Sequence, residues 1–426
     1  MEQSTPSVTV QTDPAGVSPS PLPPPSAIDF ASPALPSPIA APGTLTVLDI
    51  TKFFSETSGG IRTYLLAKAA YVQQRASLRQ VLLVPGAEDA VSESGGVRCY
   101  RLRGPRIPFD PSYRFLLASR TSRRLVEHER PDLIEVGSPW FVPWLARHAN
   151  RRLTAPAVWF YHTHFPAIIG SHRTDLPAWR RRAGQAAWRY VRLLASRHRA
   201  VLVASESVAA DLEREGVSNV IRIRLGVDLD TFHPDRRARR EEVRSRLGLP
   251  AGPLAIYAGR FTEEKQLETA LAAWPAVARR CGGHLVLVGA GPREARLRSG
   301  APDSVSWIPY LRDRAHLADL LAASDIYLAP GPAETFGLSP LEAMASGTPV
   351  LSVATGGCSD HVRLSGAGAL YQPGDIESLV SAACDLFASD LGLAGRRARA
   401  AAENRHAWPD ALDTVFAAYR QVLGRV

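Results

Sequence analysis

Two carboxylates separated by seven residues, Glu334 and Glu342, are the side chains best suited to chemistry in this sequence. Carboxylates accept hydrogen bonds, and hydroxyl groups are suitable donors to them. The apolar run 325–330 ahead of them predicts a buried strand, and Ser339-Pro340 predicts the start of a short helix over 341–346. The unpaired amides and the dipole of such a helix favour a bound anion. Hydroxyls and an anion held at one loop suggest a sugar nucleotide.

Both carboxylates have an ordinary structural alternative. Glu342 in the first turn of the helix would complement the positive end of its dipole, and Glu334 would be a solvated loop residue. For an isolated pair at this spacing we would favour that alternative. The flanking Phe336-Gly337-Leu338 and the strand–loop–helix order favour ligand binding instead.

Two cations, Arg260 and Lys265, follow another predicted strand that ends at Gly259. Arginine offers a planar fork and lysine a mobile point charge, and both suit a diphosphate. Next to Glu263 and Glu264 they would ordinarily form a surface ion network. Their position directly after a strand end favours anion binding.

The first half of the chain alternates predicted strands and helices, which indicates a parallel sheet with helices on both faces. Ligands gather at the carboxyl ends of such strands. Gly59 and Gly60 follow the strand 45–50 and allow a close backbone approach to a ligand, with a simple turn as an equal alternative. His162 follows the strand 157–161 and can hydrogen-bond a hydroxyl group, whereas a histidine satisfied by a loop carbonyl is the more common case. The role of His164 stays open.

The composition predicts two globular domains for 426 residues, 45% of them hydrophobic. Residues 1–43 contain no Lys or Arg and are rich in Pro, Ser and Ala, so we expect a disordered tail that is not a signal peptide. No run reaches the about 18 apolar residues of a membrane span. The four widely spaced cysteines argue against a zinc site or a disulfide framework and fit a reducing compartment.

Residues 176–199 predict an amphipathic helix with one basic face. Arginines beside tryptophan, with a net charge of +9, suggest contact with an anionic membrane surface. An ordinary helix with a solvated basic side is an equal alternative, and nucleic-acid binding is not expected because no recognition motif accompanies the charge. The predicted membrane residues are Trp179, Arg181, Arg182, Trp188, Arg189 and Arg192.

The stretch Glu334-Thr-Phe-Gly-Leu-Ser-Pro-Leu-Glu342 resembles the E-x7-E signature of glycosyltransferase family 4 (GT4). Gly259-Arg-x-x-x-Glu-Lys265, His162-Thr-x-Phe-Pro166 and Gly226-Val-Asp228 resemble further motifs of that family. The resemblance implies the α/β GT-B fold, with two Rossmann-like domains whose parallel sheets face each other across a cleft. The expected parts are an N-terminal acceptor-side domain over 44–234, a C-terminal nucleotide-sugar domain over 235–404, and a helix over 405–426 that crosses back to the first domain.

The same resemblance implies a retaining transfer of a hexose from a nucleotide sugar, with His162, Glu334, Arg260 and Lys265 as catalytic residues and no metal required. It implies that the glycine loops, the cations and the E-x7-E stretch bind the donor. The donor-binding residues are then Gly59, Gly60, Arg260, Lys265, Tyr310, Glu334, Phe336, Gly337, Leu338, Ser339 and Glu342.

The motifs are most similar to those of GDP-mannose-dependent lipid α-mannosyltransferases, which implies a lipid acceptor and a cytoplasmic, peripheral membrane location. A UDP-sugar donor with a polysaccharide or small-molecule acceptor stays open, and so does the oligomeric state. A glycoside hydrolase, a sugar-nucleotide epimerase and a non-catalytic membrane-binding scaffold are the alternatives from other classes. Release of free sugar, conversion of donor without acceptor, or vesicle binding without consumption of donor would identify each of them.

Overall fold

The computed structural model describes residues 22–30, 35–55, 59–108, 110–169 and 178–425, and the chain divides into two compact units. The N-terminal unit comprises Ser20–Gly226, Ala333–Phe336 and Trp408–Val426. The C-terminal unit comprises Val227–Pro332 and Gly337–Ala407. Several sequence predictions fall partly outside the described residues, namely the tail over 1–21 and 31–34, the glycine loop over 56–58, and the start of the basic helix before Ala178.

The N-terminal unit is built on a sheet whose described strands run in the order β1-β4-β5-β3-β2-β8-β9-β10-β11. From β5 to β11 all neighbours are parallel, whereas β4 and β1 add an antiparallel edge. Two short strands, β6 and β7, pair separately. The strands are β1 (Ser26–Ala27), β2 (Leu45–Ile50), β3 (Leu78–Gly86), β4 (Ala90–Ser94), β5 (Val97–Arg103), β6 (Arg106–Ile107), β7 (Asp110–Arg114), β8 (Leu133–Val136), β9 (Ala157–Phe160), β10 (Ala200–Val203) and β11 (Val220–Arg222).

Helices cover this sheet because its central strands are buried on both faces, as expected for a parallel sheet. Every residue of β2 and β8 is buried. The helices are α1 (Gly60–Gln73), α2 (Ser119–Glu129), α3 (Phe141–Ala149), α4 (Phe165–Ile169), α5 (Ala178–Ala195) and α6 (Glu206–Arg214).

Part of the expected disordered tail belongs to the N-terminal unit, so that prediction is wrong for residues 22–30. β1 pairs with β4, and Phe30 is buried edge-on against Tyr100, with ring centroids 5.7 Å apart. The composition of residues 1–43 is poor in apolar side chains, but Leu22 and Phe30 suffice to anchor this short piece on an existing core.

The position of Trp188 on α5 corrects the predicted membrane face. Its side chain is buried against the ring of His164, 5.5 Å away, on the same face as Ala187, Val191 and Leu194. Seen along a helix of 3.6 residues per turn, position 188 lies one turn from 184 and 191 and therefore on the apolar side. Trp179 is 65% exposed, and the predicted arginines of α5 are exposed as well.

The C-terminal unit is a parallel sheet in the order β14-β13-β12-β15-β16-β17, flanked by helices. Short 3-10 helices cover Pro234–Arg239 and Glu263–Lys265. The strands are β12 (Leu254–Ala258), β13 (His284–Val288), β14 (Val305–Ile308), β15 (Ile326–Ala329), β16 (Val350–Val353) and β17 (Gly368–Tyr371). The helices are α7 (Arg240–Arg246), α8 (Leu267–Cys281), α9 (Glu294–Ser299), α10 (Arg314–Ala323), α11 (Leu338–Ala345), α12 (Gly357–Ser365), α13 (Ile376–Ala388) and α14 (Leu391–His406).

The last helix, α15 (Trp408–Leu423), groups with the N-terminal unit and packs on α1. Its buried residues Leu412, Val415, Phe416 and Tyr419 recur at helical spacing and face the core. No single helix among the described residues is long and apolar enough to cross a membrane. α13 and α14, bent by 99° at their junction, meet that criterion of length and composition only when they are taken together.

Candidate active site

Two loops of the C-terminal unit meet beside the carboxyl ends of neighbouring strands. β12 pairs in parallel with β15, so the loops that follow them leave the sheet at the same edge. The loop after β12 contains Arg260 and ends in a 3-10 turn at Lys265. A Cβ atom added to Gly331, after β15, would lie 3.5 Å from both Cα and Cδ of Lys265. Lys265 therefore lies against the start of the 331–349 stretch.

Two glycines of the loop after β13 allow it to pack closely on the loop after β12. A Cβ atom on Gly289 would lie 1.9 Å from the carbonyl oxygen of Gly259, and one on Gly291 would lie 2.4 Å from that of Phe261. The loop after β12 is also held by Tyr257, whose hydroxyl donates to the carbonyl of Arg260 at 2.8 Å. The backbone beneath the two cations is thus fixed, and both side chains are half-buried.

Helix α11 begins three residues earlier than the sequence predicted. Gly337 is its N-cap residue with φ of 88°, in the left-handed region that favours glycine. A Cβ atom there would lie 2.5 Å from Sγ of Cys358. Leu338 and Ser339 are consequently the first helical residues, and Ser339 is not the cap. Their backbone amides lie in the first turn, where no intrahelical partner exists.

Glu342 lies beyond the first turn of α11, so it does not complement the helix N-terminus. Its side chain is 7% exposed and accepts a hydrogen bond from Nη2 of Arg314 at 2.7 Å. The carboxylate of Glu342 in turn raises the pKa of Arg314. Arg314 is the first residue of α10, and no sequence signal marked it. Among the described side chains, Arg314 is the polar partner that holds the Glu342 carboxylate in place.

Tyr310 follows β14 and is 44% exposed. It is close enough to Arg314 to contribute to the raised pKa of that guanidinium. The guanidinium also lies over the ring of Phe232, with its carbon 4.8 Å from the ring centroid. Tyr310, Arg314 and Glu342 therefore form one group within the C-terminal unit.

In the N-terminal unit, the paired glycines stand at the beginning of α1. Gly59 is the N-cap residue and Gly60 the first helical residue, and both are exposed. A Cβ atom on Gly59 would meet no atom of the described residues within 4 Å, as a ligand-approaching loop requires.

His162 follows β9, and its Nε2 atom is buried without a hydrogen-bond partner among the described residues. Its ring stacks on Phe160 with centroids 3.7 Å apart. Burial, together with the positive charge of Lys68, lowers the pKa of His162 to about 3. The imidazole is therefore neutral near pH 7, with one nitrogen as donor and the other as acceptor. A buried polar atom without a partner is unusual and is suited to receive a ligand group.

The segment Ala333–Phe336 groups with the N-terminal unit. Thr335 Oγ1 donates to the carbonyl oxygen of His162 at 3.1 Å. Glu334 is half-buried, and Phe336 is 6% exposed. Glu334 is therefore the sequence neighbour of Thr335, which hydrogen-bonds the backbone of His162.

A fully buried polar network lies on β2, β8, α1 and α15. Lys68 Nζ is 2.7 Å from Asp49 Oδ1 and 3.6 Å from Glu135 Oε2, and it donates to the hydroxyl of Tyr419 at 2.7 Å. Tyr64 and Tyr419 both donate to Glu135. Burial is the main reason that the pKa of Glu135 rises to about 7. The Tyr64 ring lies 5.7 Å from that of His162, so the network packs directly against this histidine.

His164, whose role the sequence left open, is a core residue. It is 2% exposed, and its Nδ1 atom lies 3.0 Å from the hydroxyl of Tyr161. Its Nε2 atom lies 3.4 Å from Asp211. Among the described residues there is no group of three His, Cys, Asp or Glu side chains that could hold a metal ion.

Sequence reasoning missed the residues that position the site, namely Arg314, Thr335 and Tyr419. Their partners lie 28, 173 and 284 positions away along the chain. Only packing brings such pairs together. The C-terminal unit provides two cations on a glycine-tightened loop, a helix N-terminus and a carboxylate fixed by arginine. The N-terminal unit provides a neutral histidine.

Two family models match the chain in separate regions. One, described as Glycosyltransferase Family 4, covers residues 58–231, and the other, described as Glycosyl transferases group 1, covers residues 252–389. The two matches fall largely within the two units of the structure.

Two relatives from Mycobacterium tuberculosis are similar over most of their length. A GDP-mannose-dependent alpha-(1-6)-phosphatidylinositol dimannoside mannosyltransferase is 32% identical over 336 residues, which cover 74% of this chain and 84% of that protein. A GDP-mannose-dependent alpha-mannosyltransferase is 30% identical over 343 residues, covering 80% and 86%.

Solved structures share the fold at low identity. Sucrose-phosphate synthase from Thermosynechococcus elongatus aligns with a TM-score of 0.71 and 22% identity over 90% of this chain and 100% of that one. HepE of Anabaena, in complex with UDP and glucose, aligns with a TM-score of 0.67 and 17% identity over 88% and 99%.

Proposed function

The chain belongs to glycosyltransferase family 4 and has the GT-B fold, and we propose that it transfers a hexose from a nucleoside diphosphate sugar to a hydroxyl of a membrane lipid. Mannose is the favoured hexose, and the transfer would retain the configuration at the anomeric carbon. Both mycobacterial relatives are named as GDP-mannose-dependent enzymes, which supports GDP-mannose as donor. One of them is named for a phosphatidylinositol dimannoside, which supports a lipid acceptor. The complex of HepE with UDP and glucose keeps a UDP-sugar as the alternative donor.

The observation that carries the proposal is the contact between the Lys265 loop and Gly331. Breaking a sugar–phosphate bond builds positive charge on the sugar and negative charge on the leaving diphosphate. Arg260 and Lys265 stand where two strand-end loops meet and would stabilise that negative charge as it develops. The first-turn amides of α11 are in the same unit and would add donors to the anion.

Glu342 is suited to the ribose hydroxyls of the nucleotide. Its ion pair with Arg314, at 2.7 Å, fixes the rotamer of the carboxylate. The oxygen that does not contact Arg314 can accept hydrogen bonds from a diol. Tyr310, exposed beside Arg314, is suited to stack on the base.

Glu334 and His162 would bind the sugar and the acceptor. A carboxylate at 334 would accept hydrogen bonds from sugar hydroxyls, and the unpartnered Nε2 of His162 would receive another hydroxyl. In the transfer step, the bond between the anomeric carbon and the acceptor oxygen forms while the bond to the phosphate oxygen breaks. The departing phosphate takes the proton of the acceptor hydroxyl, so the products are the glycosylated acceptor and the protonated nucleoside diphosphate. We propose that this step requires no metal ion.

A donor panel tests the function. The full chain is incubated with GDP-mannose, UDP-glucose, UDP-galactose and UDP-glucuronate, each with vesicles that contain diacylglycerol or phosphatidylinositol. We expect nucleoside diphosphate release and labelled lipid with GDP-mannose. Labelled lipid from a UDP-sugar alone would overturn the mannose assignment, and release of free sugar without labelled lipid would overturn the transferase assignment.

Glu334→Gln tests the role of the loop carboxylate. We expect kcat to fall on the order of 10²-fold while nucleoside diphosphate affinity stays within about twofold, because the lost interaction concerns the sugar rather than the nucleotide. Turnover and calorimetric binding of the diphosphate measure the two quantities. The matched control is Glu241→Gln, an exposed carboxylate on α7. Equal losses of turnover and affinity would contradict the assigned role.

A further inference from the structure

The beginning of α3 exposes three aromatic side chains to solvent. Trp140, Phe141 and Trp144 are 46%, 49% and 37% exposed. They follow β8, on the same sheet edge as His162, which follows the neighbouring parallel strand β9. Exposed aromatic clusters of this kind mark interaction sites.

Two of these aromatic side chains, Trp140 and Trp144, are held in place by Tyr190 of α5. Its ring stacks on that of Trp140 with centroids 6.0 Å apart, and its hydroxyl donates to the carbonyl oxygen of Trp140 at 2.8 Å. Trp144 Nε1 donates to the same hydroxyl at 3.1 Å. Trp140 adopts φ of 72°, a conformation that is unfavourable for a bulky side chain. The fold thus maintains a strained backbone at a position that presents an indole ring to solvent.

A basic groove of about 1040 Å³ continues from Trp144 along the C-terminal ends of α3 and α5. Among the described residues that line it there are four arginines and two histidines and no Asp or Glu. None of the four arginines forms an ion pair with a carboxylate of the described chain. They are Arg147, Arg151, Arg197 and Arg199. The guanidinium of Arg197 lies over the Trp144 ring, 5.6 Å from its centroid, and so joins the groove to the aromatic side chains.

A helix C-terminus alone accounts for part of this charge, because cations complement its dipole. Arg147 lies in the last turn of α3 and fits that explanation. Arg151 and Arg197 follow the ends of α3 and α5 and stand exposed. Cations without carboxylate partners beside exposed tryptophans need a further explanation.

We propose that this surface, formed by Trp140, Phe141, Trp144, Arg147, Arg151 and Arg197, docks the protein on an anionic phospholipid bilayer. Tryptophan and phenylalanine are suited to the boundary between headgroups and acyl chains. The arginines would pair with lipid phosphates, which carry the negative charge that the groove lacks. This site differs from the predicted one on α5, of which Trp188 is buried.

The inference deepens the proposed function, because it rests on the lipid acceptor for its purpose. An acceptor held in a bilayer must present its hydroxyl at the strand-end edge that contains His162. Trp140 and Phe141 follow the carboxyl end of β8 and lie at that edge, so docking of this surface on the bilayer would reduce the search for the acceptor to two dimensions. Vesicle binding itself can be measured without any sugar donor.

Co-sedimentation of the full chain with vesicles tests the proposal. Vesicles of phosphatidylcholine alone are compared with vesicles that also contain phosphatidylglycerol. We expect Phe141→Ser to reduce the fraction bound to the mixed vesicles roughly tenfold, because an inserted phenyl ring is lost. Arg151→Glu with Arg197→Glu should remove the preference for phosphatidylglycerol. Thermal unfolding of each variant verifies that it is folded.

Three matched controls complete the experiment. Leu364→Ser removes a 53% exposed apolar side chain from α12 of the C-terminal unit, and Arg279→Glu reverses an exposed charge on α8; both should bind like the wild type. Trp179→Ser removes the exposed tryptophan of α5 and should also retain binding. If Trp179→Ser loses binding while Phe141→Ser keeps it, the docking surface lies on α5 and the proposal is overturned.

Transfer to a water-soluble acceptor separates this inference from the proposed function. We expect Phe141→Ser to retain that activity while it loses transfer to vesicle-borne lipid. Vesicle binding by the wild type without any lipid glycosylation would overturn the proposed acceptor and leave the docking surface standing. Glycosylation of vesicle lipid by Phe141→Ser at the wild-type rate would overturn the docking surface and leave the acceptor standing.

Discussion

Two clusters of charged side chains, one in each unit, are used in opposite ways, although both lie on largely parallel sheets. In the N-terminal unit, Lys68, Asp49 and Glu135 lie inside the protein with side chains at most 2% exposed. In the C-terminal unit, Arg260 and Lys265 stand on loops and are half-buried. The buried charges neutralise one another and hold α15, whereas the loop cations lie where a ligand can reach them.

The difference shows that the burial and the partners of a charged side chain indicate whether it serves stability or ligand binding. A buried ion pair must be compensated within the protein, because desolvation costs several kcal/mol per ion. A cation at a strand-end loop keeps part of its hydration and can exchange it for a phosphate. Substitutions in the N-terminal network should therefore affect stability, and substitutions of the loop cations should affect turnover.

Lys68→Met should produce the largest effect. It leaves Asp49 and Glu135 buried without their cation, and we expect a loss of about 3–5 kcal/mol in the free energy of unfolding. Urea unfolding followed by circular dichroism measures it. The triple variant Lys68→Met, Asp49→Asn, Glu135→Gln removes the charges together and should recover part of the loss. A single variant within about 0.5 kcal/mol of the wild type would disprove a structural role for the network.

Lys265→Ala should be the next largest effect, and it should appear in catalysis. Removing one preorganised charge from a leaving group costs roughly 10²- to 10³-fold in kcat. Release of nucleoside diphosphate measures the rate, and the unfolding midpoint should stay unchanged. Arg279→Ala, an exposed cation on α8, is the control. A drop in stability without a change in kcat would place Lys265 with the structural charges instead.

The pH dependence of stability should show the smallest effect. The pKa of Glu135 is about 7 in the native protein, against 4.5 as its ordinary value. A raised carboxyl pKa favours the native state when the carboxyl is protonated, so this contribution is complete below pH 4.5 and is lost as the pH rises to 7. We expect a decline of about 1–3 kcal/mol over that range in the wild type, reduced in Glu135→Gln. Parallel pH profiles of the two proteins would rule the contribution out.

Much of the fold could be predicted from local pattern. Apolar runs identified central strands: β2 begins and ends at the predicted residues 45 and 50, and β9 ends one residue before the end of the predicted strand 157–161. These elements are apolar on the face or faces that they bury, so periodicity alone identifies them. The buried piece of the tail was not predicted, because its few apolar residues become significant only against β4 and Tyr100.

Some candidate site residues could likewise be found from local sequence, whereas others depended on tertiary contacts. Arg260, Lys265, His162 and Gly337 lie directly after strands or at a helix end, and sequence position suffices to find them there. Burial against His164 reversed the interpretation of Trp188. The start of α11 at Leu338 removed the helix-dipole explanation of Glu342, and the structure showed Arg314 as the partner of that carboxylate. Neither partner is near in sequence, and no periodicity carries that information.

The sequence by itself determined the alternation of strands and helices, the glycine loops and the residue types available at each strand end. These properties depend on neighbours within a few positions, where propensity and periodicity act. Only the tertiary structure decided which charges are buried in pairs, which residue fixes Glu342, and which tryptophans face water. Those outcomes depend on contacts between segments far apart in the chain, and burial changes the free energy of each charge by more than any local preference does.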